Sequence, residues 1–113
     1  MAVSAQVQVI QKYIAAYDAC DVGGMLKLLS RELRFENWSG IHLTAEASGI
    51  DEFRRLAEQA KTMFSEREQR VTALKQGRDS IIVSIVYHGQ LDLNGESEFA
   101  FNGCLISKIV DQS

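Results

Sequence analysis

The apolar residues of this chain change period along it, helical steps flanking a short alternating stretch and then giving way to a long run of strands, and that change most narrows the fold. Val7, Ile10, Ile14 and Tyr17 recur at steps of three and four, as on one face of a helix. Ile50, Phe53, Ala57, Ala60 and Phe64 repeat that spacing more strongly. From Arg67 onward the pattern becomes alternation or continuous apolar runs, which belong to strands. The order helix, helix, strand, arm, helix and then a run of three or four antiparallel strands predicts an α+β domain.

The first helix is expected from about Ser4 to Ala19. Asp21 then offers an N-cap for a short helix carrying Met25, Leu26, Leu28 and Leu29, weakened by Gly23 and Gly24. Leu33 to Trp38 alternates as a strand, Leu33, Phe35 and Asn37 on one face, Arg34, Glu36 and Trp38 on the other. Ser39-Gly40 reads as a turn and Ile41 to Ala47 as a short strand or arm. Ser48-Gly49-Ile50-Asp51 fits a Ser-x-x-Asp cap, opening a helix that ends near Ser65. Strands follow over Arg67–Lys75, Ser80–His88, Glu96–Phe101 and Cys104–Asp111. Between them lie a Gly77-Arg78-Asp79 turn, a loop or hairpin over Leu91–Gly95, and an Asn102-Gly103 hairpin signal. The architecture that follows is a cone-shaped barrel: a curved, mainly antiparallel sheet around three helices of the N-terminal half.

With 113 residues and no proline, repeat or linker, residues 1–113 make one domain. Net charge is -3 with no basic patch, which argues against nucleic acid. The longest apolar run, Ile81–Tyr87, is far too short to span a bilayer, and Gln6, Gln8 and Gln11 interrupt any signal-like stretch. No membrane association is expected, and a cytoplasmic location is. Cys20 and Cys104 have no metal-ligand spacing and are expected as two free thiols; His42 and His88 likewise lack companions, so neither metal nor cofactor is expected.

Tyr13, beside the first helix's stripe, and Asn37, on an apolar strand face, are the polar residues that stand out. In a cone both point into one cavity, lined by Leu33, Phe35, Phe99 and Phe101. A buried amide without a hydrogen bond costs about 1–3 kcal/mol, so Asn37 needs a partner, internal or bound. Glu36, Glu96 and Glu98 alternate with apolar residues and read as outward and solvated. Ser80–His88 is apolar on both faces, as a central strand should be, so Ile82 and Val86, with Leu74, would leave an apolar outer patch. A homodimer through the outer sheet face, with Trp38 at a rim or contact, is the expectation.

Three stretches carry a resemblance. Val9 to Leu29 resembles the helix, small residue, Asp, short helix opening of the nuclear transport factor 2-like, or cystatin-like, superfamily. Val83 to Gly89 resembles its central strand, and Glu98 to Gly103 the strand and turn before its last strand. That superfamily includes ketosteroid isomerases and SnoaL-like polyketide cyclases, as well as binding and association modules. Ketosteroid isomerase works with an Asp base and an oxyanion hole of Tyr and a protonated Asp. The resemblance puts Tyr13 at the oxyanion-hole tyrosine, Asn37 at the base and Ser97 at the protonated acid. An amide cannot take a proton from carbon, and a hydroxyl is a weaker donor than a carboxylic acid, so steroid isomerisation is not expected.

The leading expectation is a domain that binds a small apolar molecule through Tyr13, Tyr17, Leu33, Phe35, Asn37, Phe53, Ser97, Phe99 and Phe101. A second reading is an isomerase, cyclase or dehydratase acting on an aromatic or polyketide-like carbonyl compound. It would need His42, Glu46 or Asp92 as base, with Tyr13 stabilising an oxyanion. A third is an association module with a filled core.

Overall fold

The computed structural model describes residues 5–63, 68–77, 79–88 and 93–113. Its elements are α1 (Ala5–Asp18), α2 (Val22–Leu26), β1 (Leu29–Ser39), β2 (His42–Ser48), α3 (Ile50–Met63), β3 (Glu68–Gln76), β4 (Ser80–His88), β5 (Leu93–Asn102) and β6 (Leu105–Gln112). Ser4, Phe64, Ser65, Arg67, Arg78, Gly89, Leu91 and Asp92, which entered the expectations above, lie outside the described residues. The strands form one curled, open sheet in the order β2-β1-β6-β5-β4-β3. Every neighbouring pair is antiparallel except β1 and β6, which run parallel. With three helices, this is the α+β cone expected from the switch of period.

Local chemistry accounts for the boundaries. Asp21 caps α2, its carboxylate accepting from the Gly24 N–H at 3.0 Å. α2 stops earlier than the apolar residues suggested, and Leu28 and Leu29 leave it. The Leu28 carbonyl accepts from the Ile106 N–H at 2.9 Å, drawing this stretch to the sheet, so β1 begins before Leu33. At α3 the expected Ser48–Asp51 cap is replaced by Glu52, whose Oε1 accepts from the Ser48 N–H at 3.0 Å. β5 begins at Leu93 rather than near Glu96, because Leu93 to Gly95 continue the ladder to β4. Both tight hairpins centre one residue later than expected. Ser39 pairs with His42 and Asn102 with Leu105, so Gly40 (φ 60°) and Gly103 (φ 65°) take the first turn position, where positive φ suits glycine.

The concave face of the sheet holds the core. Ile10 and Ile14 of α1, Met25 of α2 and Phe53 of α3 pack on Leu33, Ile81, Val83, Ile85, Phe99, Ile106 and Ile109, all buried. The register sets these side chains in rows across the strands. One row runs Ala47, Phe35, Ile109, Phe99, Ile81. The next runs Ala45, Asn37, Asp111, Ser97, Val83, Leu74. Leu74 therefore shares a face with buried Val83 and does not extend the outer patch with Ile82 and Val86. A bulge in β3 between Val71 and Ala73 changes which residues face outward, and alternation counted along the sequence misses that shift.

Candidate functional site

A pocket of about 270 Å³ opens between the helices and the second of these rows. Tyr13 and Tyr17 reach it from successive turns of α1, and Met25 from α2. Phe53, Leu56, Ala57 and Ala60 reach it from one face of α3. The sheet contributes Phe35 and Asn37 from β1, Ala45 from β2 and Asp111 from β6. A wider hollow of about 380 Å³ lies on the outer sheet face near Ser84, Val86 and Glu96, but it is more open to solvent. The inner pocket is smaller, more enclosed and combines an apolar wall with converging polar groups, which is the pattern of a ligand site.

Five of the nine residues singled out from the sequence line this pocket: Tyr13, Tyr17, Phe35, Asn37 and Phe53. Leu33 and Phe99 are instead sealed in the core, at 0% and 1% exposure. Phe99 supports the site from behind, meeting the Tyr13 ring edge-to-face at 5.9 Å. Phe35 and Phe53 meet at 5.2 Å in the same manner, joining β1 to α3 across the pocket wall. Phe101 is half-buried and borders a separate small hollow with Gln6 and Asp79. Ser97 is buried and acts one step back from the pocket, through Asp111.

Asp111 is the residue that sequence reasoning missed. It stands in the row between Asn37 and Ser97, on the strand that separates theirs. The Ser97 hydroxyl donates to Asp111 Oδ1 at 2.5 Å. Burial raises the Asp111 pKa to about 6 from 3.8, partly offset by the Ser97 hydrogen bond, which favours the charged form. Asp111 ends a strand, where a carboxylate usually meets water, so it drew no notice. The signal was there: Asp111 is two residues after Ile109, hence on the same, inward face.

The candidate bases drawn from the arm do not reach the pocket wall. His42 and Glu46 are exposed on β2, and Asp92 lies outside the described residues. Asn37 is held by Thr44. The Thr44 hydroxyl donates to the Asn37 backbone carbonyl at 3.0 Å, so its oxygen must accept, at 2.7 Å, from Asn37 Nδ2. That fixes which end of the amide faces Thr44. Asn37 Oδ1 accepts no hydrogen bond among the described residues. Among the described residues no group of His, Cys, Asp and Glu could hold a metal ion.

This is the nuclear transport factor 2-like, cystatin-like fold. A structure provisionally named a polyketide cyclase, from Sinorhizobium meliloti, superposes with a TM-score of 0.81 at 14% identity, covering 97% of this chain and 100% of that one. A nuclear transport factor 2-like protein of unknown function from Burkholderia pseudomallei gives a TM-score of 0.82 at 17% identity, over 96% and 90% of the two chains. TerC, co-crystallised with polyporic acid, gives 0.81 at 13% identity, also over 96% and 90%. No family model and no curated protein matches the sequence. Identities this low define a shared fold, and the fold hosts many functions.

Proposed function

We propose that this chain is a small-molecule-binding domain of the SnoaL-like type, whose ligand sits in the inner pocket against Asn37 and Asp111. The observation that carries the reading is the polar row itself. A partly desolvated carboxylate, held by a buried serine and facing an apolar chamber, lowers stability and serves no packing need. Such groups cluster at functional sites. A same-fold protein crystallised with polyporic acid supports a small organic ligand. An open chamber of this size argues against a purely associative module with a filled core.

A second reading, catalysis on a carbonyl compound, draws on Asp111 alone. A carboxylate with a pKa near 6 is a competent general base at neutral pH. It would take over from the carboxylate that Asn37 lacks, one strand away, with Tyr13 at the opposite wall. An isomerase, cyclase or dehydratase of aromatic or polyketide-like substrates fits that pairing.

A homodimer through the outer sheet face accompanies this proposal. Half-buried Ile82 and Val86 lie there beside Glu98 and Arg70, their cross-strand partners, giving an apolar centre with charges around it. A cytoplasmic location is also proposed, supported by the two free thiols Cys20 and Cys104. Among the described residues no helix is long and apolar enough to cross a membrane.

Fragment screening by protein NMR tests the binding reading. Hits should perturb the resonances of Tyr17, Phe53, Ala57 and Asp111 together. Perturbations confined to Ser84, Val86 and Glu96 would move the site to the outer face and overturn the assignment.

A further inference from the structure

We infer that the pocket takes a small protonated amine on an apolar body, its N–H groups directed at Asn37 Oδ1 and the Asp111 carboxylate. This deepens the binding reading and rests on it. Charge comes first. Among the described residues, Asp111 is the only formally charged one on the pocket wall, and no Lys, Arg or His lines it. The chamber is therefore negative, and an anionic ligand meets repulsion at short range in a site of low dielectric.

Hydrogen-bonding capacity points the same way. Asn37 gives one of its two Nδ2 N–H groups to Thr44, and its Oδ1 accepts no hydrogen bond among the described residues. Ser97 spends its hydroxyl on Asp111 Oδ1, and Asp111 Oδ2 accepts nothing among the described residues. The two residues are partners across the parallel β1–β6 pair and both line the pocket, so the two side chains stand on one wall. Two acceptors on one wall call for a donor with more than one N–H or with a positive charge. An ammonium is both. A carbonyl oxygen placed against Asn37 Oδ1 and the Asp111 carboxylate would meet like partial charge.

The remaining walls suit a cation with an apolar body. Phe35, Phe53 and Tyr17 supply aromatic surface, whose negative ring faces attract ammonium groups. Leu56, Ala57 and Ala60 supply aliphatic surface for the rest of the ligand. The Asp111 carboxylate is already partly desolvated by folding, so a cation that binds it displaces less water than one binding an exposed carboxylate. That is preorganisation, and it sharpens the preference for positive charge.

The test compares three probes of one shape: benzylammonium, benzyl alcohol and benzoate. Calorimetry and protein NMR would follow them at about pH 8, where Asp111 is ionised and the amine is protonated. Benzylammonium should bind at least about tenfold more tightly than benzyl alcohol, and benzoate most weakly. Asp111→Asn should bring benzylammonium and benzyl alcohol to within about twofold of each other. Asn37→Leu, which keeps the charge and removes the open acceptor, should weaken benzylammonium several-fold and serves if Asp111→Asn does not fold. Benzyl alcohol or benzoate binding as tightly as benzylammonium, at Tyr17, Phe53 and Ala57, would overturn the amine inference and leave the pocket as a ligand site. Benzylammonium affinity unchanged in Asp111→Asn would overturn it too. Silence of all three probes at the pocket resonances would remove both the inference and the binding reading.

Discussion

Asn37 and Asp111 stand opposite each other across the parallel β1–β6 pair, and Ser97 flanks Asp111 on its other side. In the isomerase arrangement that the sequence resembles, carboxyl groups would occupy the outer two of these three positions. Here the carboxylate is in the middle. That single displacement governs the charge of the site and its dependence on pH.

Asp111 should make the protein less stable as pH rises. Its folded pKa, about 6, lies above its ordinary value of 3.8. Between those values the folded state holds a proton that the unfolded state has released, so unfolding becomes more favourable with increasing pH. The penalty is absent below about pH 4 and complete above about pH 6, and is at most about 3 kcal/mol. Asp111→Asn should thus differ little from the parent at pH 3.5 to 4 and be more stable at pH 7. Urea titrations at both pH values measure it. A stability difference between variant and parent that is flat with pH would contradict the burial assigned to this carboxylate.

Ser97→Ala removes the hydrogen bond that favours the ionised carboxylate. The Asp111 pKa should rise further, above about 6, in an NMR titration of its carboxyl carbon. At pH 7 the variant should lose about 1.5–3 kcal/mol, as expected for a hydrogen bond to a charged group. An unchanged or lower pKa would show that Ser97 does not govern Asp111.

Asn37→Asp sets two carboxylates side by side across β1–β6. One of the pair should titrate well above the parent Asp111, because adjacent like charges cannot both ionise freely. The Nδ2 hydrogen bond to Thr44 is lost as well. Stability at pH 7 should fall by ~2–4 kcal/mol. Neither parent nor variant should turn over a 3-oxo-Δ5 steroid, since Ser97 leaves the enolate short of a strong donor worth roughly 10²–10³ in rate. Steroid turnover by the parent protein would refute this assignment of Asn37 and Ser97.

Ala60→Phe tests the pocket as a space. Ala60 lines it from the last full turn of α3. A ring added to a packed core costs about 1–3 kcal/mol, whereas a ring added to a chamber of about 270 Å³ has somewhere to go. Thermal melts should shift little, and probe binding at Tyr17 and Phe53 should disappear. A large loss of stability would mean that the chamber closes in solution.

Much of this protein was legible in its sequence because periodicity is a local property. The helical steps from Val7 to Tyr17 and from Ile50 onward, and the alternation of Leu33, Phe35 and Asn37, are set by backbone geometry within a few residues. They placed two helices, a strand and an arm, a third helix and then the run of strands, and put Tyr13, Phe35, Asn37 and Phe53 on inward faces. What needed the tertiary structure was adjacency. The parallel pairing of β1 with β6 joins segments from opposite ends of the chain, and nothing in either segment announces its partner. The same pairing drew Leu28 and Leu29 out of a helix and set Asp111 beside Asn37. Packing likewise decided that Leu33 and Phe99 became core while Phe35 and Phe53 bordered open space, because that choice depends on how closely the helices approach the sheet. Local periodicity determined the inward faces wherever no bulge interrupts a strand; the fold decided which of those side chains meet each other and which meet a ligand-sized space.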